Sequence, residues 1–465
     1  MEQTIKKYAK KIKDFVNEEL GGIRYNEQQY VYRENLHADA FSKGGAYFGF
    51  ISKNEAPSGV YSDLCLVFFP AKGNNTCLVA FAVGSQGFKN DYQLAYLPGT
   101  RRKFLKLVNE NGFIKSDFLD IESSIGDYDR IIDDELLKTT VGQYKKCILA
   151  CQLIDLETDD EIYKGFLARY AELRGWGKNE KKKKIYIDNA EKAINKDREK
   201  TKTSEETVMS ILEKSKYIVL QGAPGTSKTY TARKIAGVHK VFFKQFHAET
   251  TYADFVCGIF PDISSGELRY IEKEGVLVEA IKYASAHPNE DVYLVIDEIN
   301  RANLSNVLGE AFYLFEKNMT DNGVEVTLSS TCKITRLPEN LYVIATMNTA
   351  DRSLAVVDFA LRRRFAWVTM RPEAIEFGEN ETKKFCKDEF DEIAAIFEKY
   401  ATDEELNLQP GQGYFIVASE EDMKFRLQYE IMPLIKEYFS EGIMLSAKNE
   451  FVAYFRNKIG EEMYR

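Results

Sequence analysis

A glycine-rich segment near the middle of the chain has the residue types that bind phosphate. It reads Gly222, Ala223, Pro224, Gly225, Thr226, Ser227, Lys228 and Thr229. A predicted strand precedes it and a predicted helix follows, which is the context that a phosphate-binding loop, or P-loop, requires. The backbone N–H groups of such a loop and the helix N-terminus converge on phosphate oxygens. Lys228 would place a positive charge at the β- and γ-phosphates, and the Thr229 hydroxyl would ligate Mg²⁺.

Position 227 departs from the usual pattern, because serine stands where such loops have glycine. If the backbone at this position needs a positive φ, a side chain there costs about 1 kcal/mol or more. Two interpretations stay open. Either the small side chain of Ser227 is tolerated, or the loop has degenerated and no longer binds nucleotide.

Two adjacent carboxylates follow a second apolar run, about 70 residues after the P-loop, as expected if both elements share one Mg²⁺. The run 292–296 predicts a buried strand, and Asp297 and Glu298 come directly after it. Strands of a parallel sheet deliver such residues to the carboxyl edge, beside the P-loop. We expect Asp297 to hold Mg²⁺, directly or through water, and Glu298 to polarise the attacking water.

Polar residues also flank two later apolar runs. Asn348 ends the run 344–347 and could orient the attacking water, although an asparagine after a strand is also a common turn residue. Arg362, Arg363 and Arg364 precede the last run. A hydrolase can borrow an arginine from a neighbouring subunit to neutralise γ-phosphate charge, and the alternative is ion pairs within the same chain. We expect at least one of the three arginines to act in a neighbouring subunit.

Strands and helices alternate through this half of the chain, which indicates a mostly parallel sheet covered on both faces. The strands are predicted at 217–221, 241–246, 292–296, 341–346 and 366–370. A helix is predicted over 304–316, and the pattern after position 372 is helical again. The expected fold class is α/β, an AAA+ P-loop NTPase core with a parallel sheet and a helical lid, preceded by an α+β domain.

Composition changes along the chain predict the domain boundaries. Residues 1–175 form an α+β domain, and 176–206 form a charged linker or a solvated helix that joins two domains. Residues 207–371 form the large α/β subdomain, and 372–465 form the helical lid.

Two strings of residues are more specific than a generic AAA+ pattern. Residues 297–303 read DEINRAN and residues 347–353 read MNTADRS. Together with VVD at 356–358 and the arginine triplet, they resemble McrB, the motor subunit of modified-DNA-dependent restriction systems. The resemblance spans about 217–372.

The resemblance implies a function and several roles. Members of the McrB family hydrolyse GTP, form hexameric rings and work with McrC, a separate nuclease subunit that stimulates hydrolysis and cuts DNA. Asn348 matches the family's asparagine at the attacking water, and Asp358 and Arg363 match its intersubunit residues. The prediction of GTP as the substrate rests on the resemblance alone, because the sequence contains no Asn-Lys-x-Asp motif for guanine recognition. ATP therefore stays open as the substrate. Mg²⁺ is the expected metal in either case.

The resemblance does not extend to the N-terminal domain, but family members carry diverse DNA readers there. The domain is rich in aromatic residues, which are Tyr25, Tyr30, Tyr32, Tyr47, Phe48 and Phe50. Together with Arg101, Arg102 and Lys103 they could stack a flipped base and hold phosphates, or they could be core residues. We expect DNA, with modified bases as one possibility, to be a partner of this domain.

The overall composition limits the other function classes. The chain has 465 residues and a formal net charge of -9, so it is not a general nucleic-acid binder. Its seven cysteines include no CxxC pair and its four histidines are scattered, so no zinc site is predicted. The N-terminus lacks the apolar core of a signal peptide, and no run approaches a membrane span. We therefore expect a cytoplasmic protein without a membrane partner.

The function predicted from these observations is a nucleotide-driven ring motor of a DNA restriction or phage-defence complex, with the nuclease in another subunit. A MoxR-like, ATP-driven protein remodeller, whose N-terminal domain binds a protein client, is the alternative. A third possibility is a nucleotide-gated assembly scaffold with negligible turnover.

Overall fold

The computed structural model describes residues 2–72, 75–126, 128–177, 179–195, 205–264, 266–316, 324–350, 359–377 and 382–464. The chain divides into two compact units, Met1–Lys200 and Thr201–Arg465. Each unit has hydrophobic cores of its own. The division falls inside the charged segment 176–206.

The first unit combines helices with short and long strands. Its described helices are α1 (Glu2–Glu19), α2 (Ala38–Lys43), α3 (Tyr92–Tyr96), α4 (Pro98–Leu105), α5 (Tyr128–Ile131), α6 (Glu135–Tyr144), α7 (Asp160–Leu173) and α8 (Glu180–Ile194). Its described strands are β1 (Ile23–Arg24), β2 (Glu27–Gln28), β3 (Tyr30–Asn35), β4 (Tyr47–Ser52), β5 (Leu64–Pro70), β6 (Thr76–Val83), β7 (Gly112–Ile114) and β8 (Ile148–Asp155).

An antiparallel sheet with the strand order β3-β4-β5-β6-β8-β7 is the centre of the first unit. Residues of α1, α7 and α8 share one hydrophobic core with Phe48, Phe68 and Phe81 on one face of the sheet. Residues of α6 share a second core with Val67 and Ala80 on the other face. Because both faces are covered, β5 is apolar at every position and lacks the alternation of a half-exposed strand.

Helix α8 lies inside the segment 176–206 and packs within the first unit. Ile187, Ala190 and Ile194 are buried in the same core as α7. The two helices approach closely at Gly165 of α7, where a Cβ atom would lie 2.2 Å from the Cβ of Ala190. The exposed face of α8 carries Lys181 and Lys184, whereas Lys183 is buried and pairs with Glu180 at 2.8 Å.

The aromatic residues of the first unit divide between core and surface. Tyr30, Phe48 and Phe50 are buried in the core, whereas Tyr25 is exposed. Packing in the core is therefore the role of these three residues, because a buried ring offers no free face for stacking a base.

The second unit begins with alternating strands and helices. Its described strands are β9 (Tyr217–Gly222), β10 (Lys240–Gln245), β11 (Cys257–Asp262), β12 (Arg269–Glu274), β13 (Val292–Asp297), β14 (Val326–Ser329), β15 (Cys332–Ile334), β16 (Leu341–Asn348), β17 (Ala366–Thr369), β18 (Lys384–Phe385) and β19 (Ile416–Val417). Its described α-helices are α9 (Glu205–Ser215), α10 (Lys228–Ala236), α11 (Tyr252–Phe255), α12 (Val276–Ala286), α13 (Leu304–Leu308), α14 (Phe359–Arg364), α15 (Lys387–Tyr400), α16 (Glu420–Arg426), α17 (Met432–Ser440) and α18 (Lys448–Ile459).

A parallel sheet with the strand order β10-β13-β16-β9-β17 positions the site. Residues of α9 and α10 pack on one face of this central sheet, and residues of α12 and α13 pack on the other. The fold is therefore the predicted α/β arrangement with helices on both faces. Since β13, β16 and β9 are adjacent and parallel, the residues that follow their carboxyl ends meet at one edge.

The helix predicted over 304–316 is α-helical only in α13. Gly309 has a φ of 48°, and residues Gly309–Phe315 continue as a 3-10 helix. The positive φ ends the α-helix, because glycine adopts it without the cost that a side chain would impose. The apolar spacing alone did not reveal this break.

Two antiparallel hairpins, β11–β12 and β14–β15, leave the large subdomain and contact each other through side chains. Glu274 of β12 accepts hydrogen bonds from Ser329 Oγ at 2.5 Å and from Thr331 Oγ1 at 2.7 Å, and it pairs with Lys282 Nζ at 2.5 Å. The first hairpin also exposes large apolar side chains, at Ile259, Ile263, Leu268 and Tyr270.

The last part of the second unit is a small helical subdomain, which we call the lid. Residues of α15, α16, α17 and α18 enclose its core, which includes Phe397, Ile431 and Phe451. Across the described part of the chain, no helix is both long and apolar enough to cross a lipid bilayer.

Candidate nucleotide-binding site

The P-loop connects β9 to the N-terminus of α10. Gly225 has a φ of 80°, and Thr226 Oγ1 donates to the Ala223 carbonyl oxygen at 2.8 Å. Lys228 is buried, and its Nζ donates to the carbonyl oxygens of Gly222 at 3.0 Å and Ala223 at 2.8 Å. The lysine therefore lies along the inside of the loop, where its charge can meet phosphate oxygens.

Ser227 adopts a left-handed backbone conformation, with φ 60° and ψ 25°. The glycine of the usual pattern is explained by this geometry, since a positive φ is costly for other residues. The Ser227 hydroxyl accepts a hydrogen bond from Gln412 Nε2 at 3.2 Å. Ser227, whose backbone is strained, is thus hydrogen-bonded to a residue of the lid.

Asp297 and Thr229 meet at the carboxyl edge of the central sheet. Thr229 Oγ1 donates to Asp297 Oδ1 at 2.7 Å, and Thr346 Oγ1 of β16 donates to the same oxygen at 2.6 Å. A hydroxyl and a carboxylate are the hard oxygen ligands that Mg²⁺ prefers, so this pair fits the ion. The described residues include no cluster of three or more His, Cys, Asp and Glu side chains that would suit another metal.

Glu298 follows Asp297 with its backbone in the left-handed region, at φ 56°. Its Oε1 accepts a hydrogen bond from Asn348 Nδ2 at 2.5 Å, and Arg301 Nε lies 3.4 Å from its Oε2. Burial raises the pKa of this carboxyl above its ordinary value, the Arg301 charge opposes the rise, and the Asp297 charge adds to it. A carboxylate with a raised pKa is a better proton acceptor, which suits a general base.

Asn348 is the last residue of β16, opposite Gly222 of β9. The adjacent strands therefore place it between the P-loop and Glu298. Its carbonyl oxygen accepts a hydrogen bond from Asn300 Nδ2 at 3.3 Å. The side-chain amide and the Glu298 carboxylate together could hold one water molecule beside the phosphate site.

The three arginines of α14 have different surroundings. Arg364 is buried, pairs with Glu316 at 2.9 Å and lies 4.2 Å from the Phe312 ring centroid. The Arg363 side chain also pairs with Glu316 at 2.9 Å, yet 69% of it is exposed. Arg362 is exposed, and its guanidinium lies 5.0 Å from the Trp367 ring centroid. Asp358, predicted with these arginines, lies outside the described residues.

Four residues belong to this site that sequence reasoning did not single out as functional. Thr346 and Asn300 are buried beside the two carboxylates, and Arg301 lies next to Glu298. The positions of Asn300 and Arg301 within the DEINRAN string are the only signal that could have indicated them. Gln412 is separated from the P-loop by 185 residues, so no local spacing connects it with Ser227.

Comparison with known proteins gives a family for this part of the chain. The model of the AAA domain (dynein-related subfamily) matches residues 217–365. The type IV methyl-directed restriction enzyme EcoKMcrB subunit of Escherichia coli (strain K12) is 33% identical over 264 residues, covering 51% of this chain and 57% of that protein. The type II restriction enzyme BsuMI component YdiS of Bacillus subtilis (strain 168) is 27% identical over 189 residues, covering 32% and 55%.

The matches thus span little more than half the length of these two relatives. The P-loop, the two carboxylates and the arginine triplet lie within the matched AAA domain, residues 217–365. The resemblance to the McrB family predicted from the DEINRAN and MNTADRS strings is confirmed. With its AAA domain and its parallel central sheet, this part of the chain is similar to the McrB subunit and to AAA+ proteins.

Proposed function

We propose that this protein hydrolyses a nucleoside triphosphate, GTP in preference to ATP, as the ring-forming motor subunit of a DNA restriction complex. The observation that carries the proposal is the Asn348–Glu298 hydrogen bond of 2.5 Å at the edge where Thr229 and Asp297 also meet. Both curated relatives are components of restriction enzymes, which supports the restriction role. GTP is favoured by the resemblance to the McrB family.

The residues at the sheet edge have complementary roles in hydrolysis. Lys228 and the P-loop N–H groups bind the phosphates, and Thr229 with Asp297 would hold Mg²⁺, which supplies charge neutralisation between phosphate oxygens. Glu298 accepts a proton from the attacking water, and Asn348 orients both the carboxylate and that water. The Arg301 charge favours the ionised form of Glu298, since it opposes the effect of burial on the pKa of this carboxyl.

Completion of the site by a neighbouring subunit is the second part of the proposal. Arg362 and Arg363 are the exposed members of the triplet, so they can reach a γ-phosphate bound by another copy of the chain. Arg363 would exchange its exposed ion pair with Glu316 for the phosphate, whereas Arg364 is buried against Phe312 and the same carboxylate. A closed ring, expected to be a hexamer by resemblance, would use each subunit's arginines in the next subunit's site.

Recognition of DNA is assigned to the first unit, and a nuclease of the McrC kind is the expected partner. The first unit contains a cavity of about 160 Å³ whose lining includes Tyr47, Tyr61, Phe69 and Tyr144. Arg33 also lines the cavity, with its guanidinium 5.1 Å from the Tyr61 ring centroid. Its Nε is buried without a hydrogen-bond partner in the described part of the chain. Aromatic rings and a free donor are suited to a base, including a modified one.

Steady-state hydrolysis of GTP and ATP, with and without DNA, tests the proposal. We expect turnover of GTP that rises on addition of duplex DNA or of the nuclease subunit, and a gel shift of methylated duplex by the full chain. ATP preference would remove the GTP assignment while leaving the hydrolytic one. Absence of nucleotide binding at millimolar concentration would overturn the whole proposal.

A MoxR-like protein remodeller is the second candidate, and one observation favours it. The β11–β12 hairpin exposes Ile259, Ile263, Leu268 and Tyr270, and exposed apolar side chains of this kind often contact protein. A remodeller would show ATP hydrolysis that is stimulated by a protein client and unaffected by DNA. Stimulation by DNA therefore separates the two candidates.

A further inference from the structure

A short segment of the lid lies directly against the P-loop. We call residues 410–414 the lid loop; they read PGQGY and precede β19. The backbone N–H of Gly411 donates to the Pro224 carbonyl oxygen at 3.0 Å, and that of Gly413 donates to the Gly225 carbonyl oxygen at 2.9 Å. Two main-chain hydrogen bonds thus join the lid to the phosphate-binding loop.

The contact between the two loops leaves no room for side chains. A Cβ atom on Gly411 would lie 2.1 Å from the carbonyl carbon of Gly225 and 2.3 Å from the Thr226 nitrogen. On the other side, the Tyr414 ring would lie 3.0 Å from a Cβ atom on Gly225. Glycine at 411 and 225 therefore permits backbone-to-backbone contact.

Gln412 adds a side-chain bridge between three parts of the second unit. It is only 8% exposed. Its Nε2 donates to Ser227 Oγ at 3.2 Å, and its Oε1 accepts from the Glu373 N–H at 3.4 Å. Glu373 lies in the connection between the central sheet and the lid. Arg426 Nη1 of α16 donates to the Gly413 carbonyl oxygen at 2.7 Å, so the lid helix holds the loop in place.

The Ser227 hydroxyl lies where it can influence nucleotide binding. Ser227 precedes Lys228 and Thr229, and its backbone conformation sets the direction of the N–H groups that meet phosphate. A hydrogen bond from the lid to this residue stabilises the strained conformation. Thermodynamic linkage makes this effect reciprocal. If the Gln412 hydrogen bond favours the phosphate-binding conformation, then bound phosphate also favours the Gln412 hydrogen bond.

We propose that Gln412 is a positioning residue, which couples the lid to bound nucleotide through the hydroxyl of Ser227. The serine that replaces the usual glycine is then the acceptor of this coupling and not a sign of degeneration. The inference rests on the proposed nucleotide binding at the P-loop. It adds a residue, Gln412, and a coupling between the lid and the P-loop that the hydrolytic chemistry itself does not require.

A double-mutant cycle with Ser227→Ala and Gln412→Leu tests the inference. The alanine keeps the cost of the positive φ and removes only the hydroxyl. We expect Gln412→Leu to raise the Kd and the KM for nucleotide about tenfold in the natural background, with kcat changed by less than about twofold. In the Ser227→Ala background the same substitution should raise them only about twofold, since the hydrogen bond is already lost.

A matched control distinguishes positioning from loss of stability. Gln428→Leu removes another lid glutamine, whose Nε2 donates to Glu461 Oε1 at 2.6 Å. It should leave the Kd for nucleotide unchanged, and the Tm of all variants should be measured alongside. Equal effects of Gln412→Leu in both backgrounds would overturn the inference while nucleotide binding by the natural protein would still stand. If the natural protein binds no nucleotide, the proposed function fails first.

Discussion

Glu298 combines a strained backbone, a buried carboxylate and a short hydrogen bond from Asn348. Left-handed backbone at a residue other than glycine is costly, and such strain is concentrated at functional sites. The backbone N–H of Glu298 donates to Thr346 Oγ1 at 3.1 Å, which helps to fix the turn. The side chain therefore has one orientation, as a positioned proton acceptor requires.

Replacing the proposed base should separate binding from hydrolysis. Glu298→Gln keeps the shape and the contact with Asn348 but removes the proton acceptor, so we expect kcat to fall at least about 100-fold. The Kd for nucleotide should change by less than about threefold, measured with a fluorescent analogue. Near-normal turnover in this variant would exclude Glu298 as the base.

The charge of Arg301 should set the acid limb of the pH profile. Since the base acts when ionised, kcat falls as the pH falls through the pKa of Glu298, which burial raises and Arg301 lowers. Arg301→Ala removes the opposing charge, so the pKa rises further and the limb moves to higher pH. Arg301→Lys should keep the limb near its natural position. An unchanged profile of kcat against pH in Arg301→Ala would show that another group controls the limb.

At the scale of elements, the central sheet could be predicted from the sequence and the contacts of the lid could not. The strands predicted at 217–221 and 292–296 occur as β9 and β13 with nearly the same bounds, because buried parallel strands are continuous apolar runs. The carboxylates after β13 could be predicted for the same reason. Gln412 could not, since its role depends on tertiary contact and no periodic pattern records it.

The two hairpins are joined by Glu274, and this junction should depend on pH. Burial opposes ionisation, but hydrogen bonds from Lys282, Ser329 and Thr331 outweigh it and lower the pKa of Glu274 to about 2. The contribution of ionised Glu274 to the stability of the junction is complete above the ordinary carboxyl pKa of 4.5. It is lost as the pH falls from there to the lowered pKa of about 2.

Glu274→Gln should remove the part of that dependence that Glu274 contributes, while Glu272, which accepts from the Ser330 N–H, keeps its own part. We expect the variant to be destabilised by about 1–2 kcal/mol at neutral pH, after allowance for partial exposure. Hydrogen exchange of the amides in β12 and β15 gives the local readout, and Glu267→Gln, a change to an exposed residue in the same hairpin region, is the matched control. Equal exchange in Glu274→Gln and the natural protein at pH 7 would contradict the junction.

At the scale of the whole molecule, the proposed ring requires that subunits share sites. Mixing Arg363→Ala subunits with Lys228→Ala subunits should restore part of the hydrolysis that each variant lacks, because some interfaces then pair a natural P-loop with a natural arginine. Steady-state turnover across mixing ratios is the measurement. Subunits with Arg269→Ala, a change to an exposed arginine, serve as the control, since we expect them to hydrolyse nucleotide at the rate of the natural protein. No recovery at any ratio would count against sharing.

The edge strand β10 has a consequence for handling the protein in solution. An uncovered strand offers unpaired backbone groups to any other strand, which favours aggregation. Here cations cover its aromatic side chains: Lys240 Nζ lies 5.2 Å from the Phe242 ring centroid and the Arg233 guanidinium lies 4.7 Å from that of Phe243. Lys240 and Lys244 also lie on the strand itself, so pairing with a second copy of this edge would bring like charges together. The edge should therefore resist fibril-like association at the high concentrations that assembly studies need.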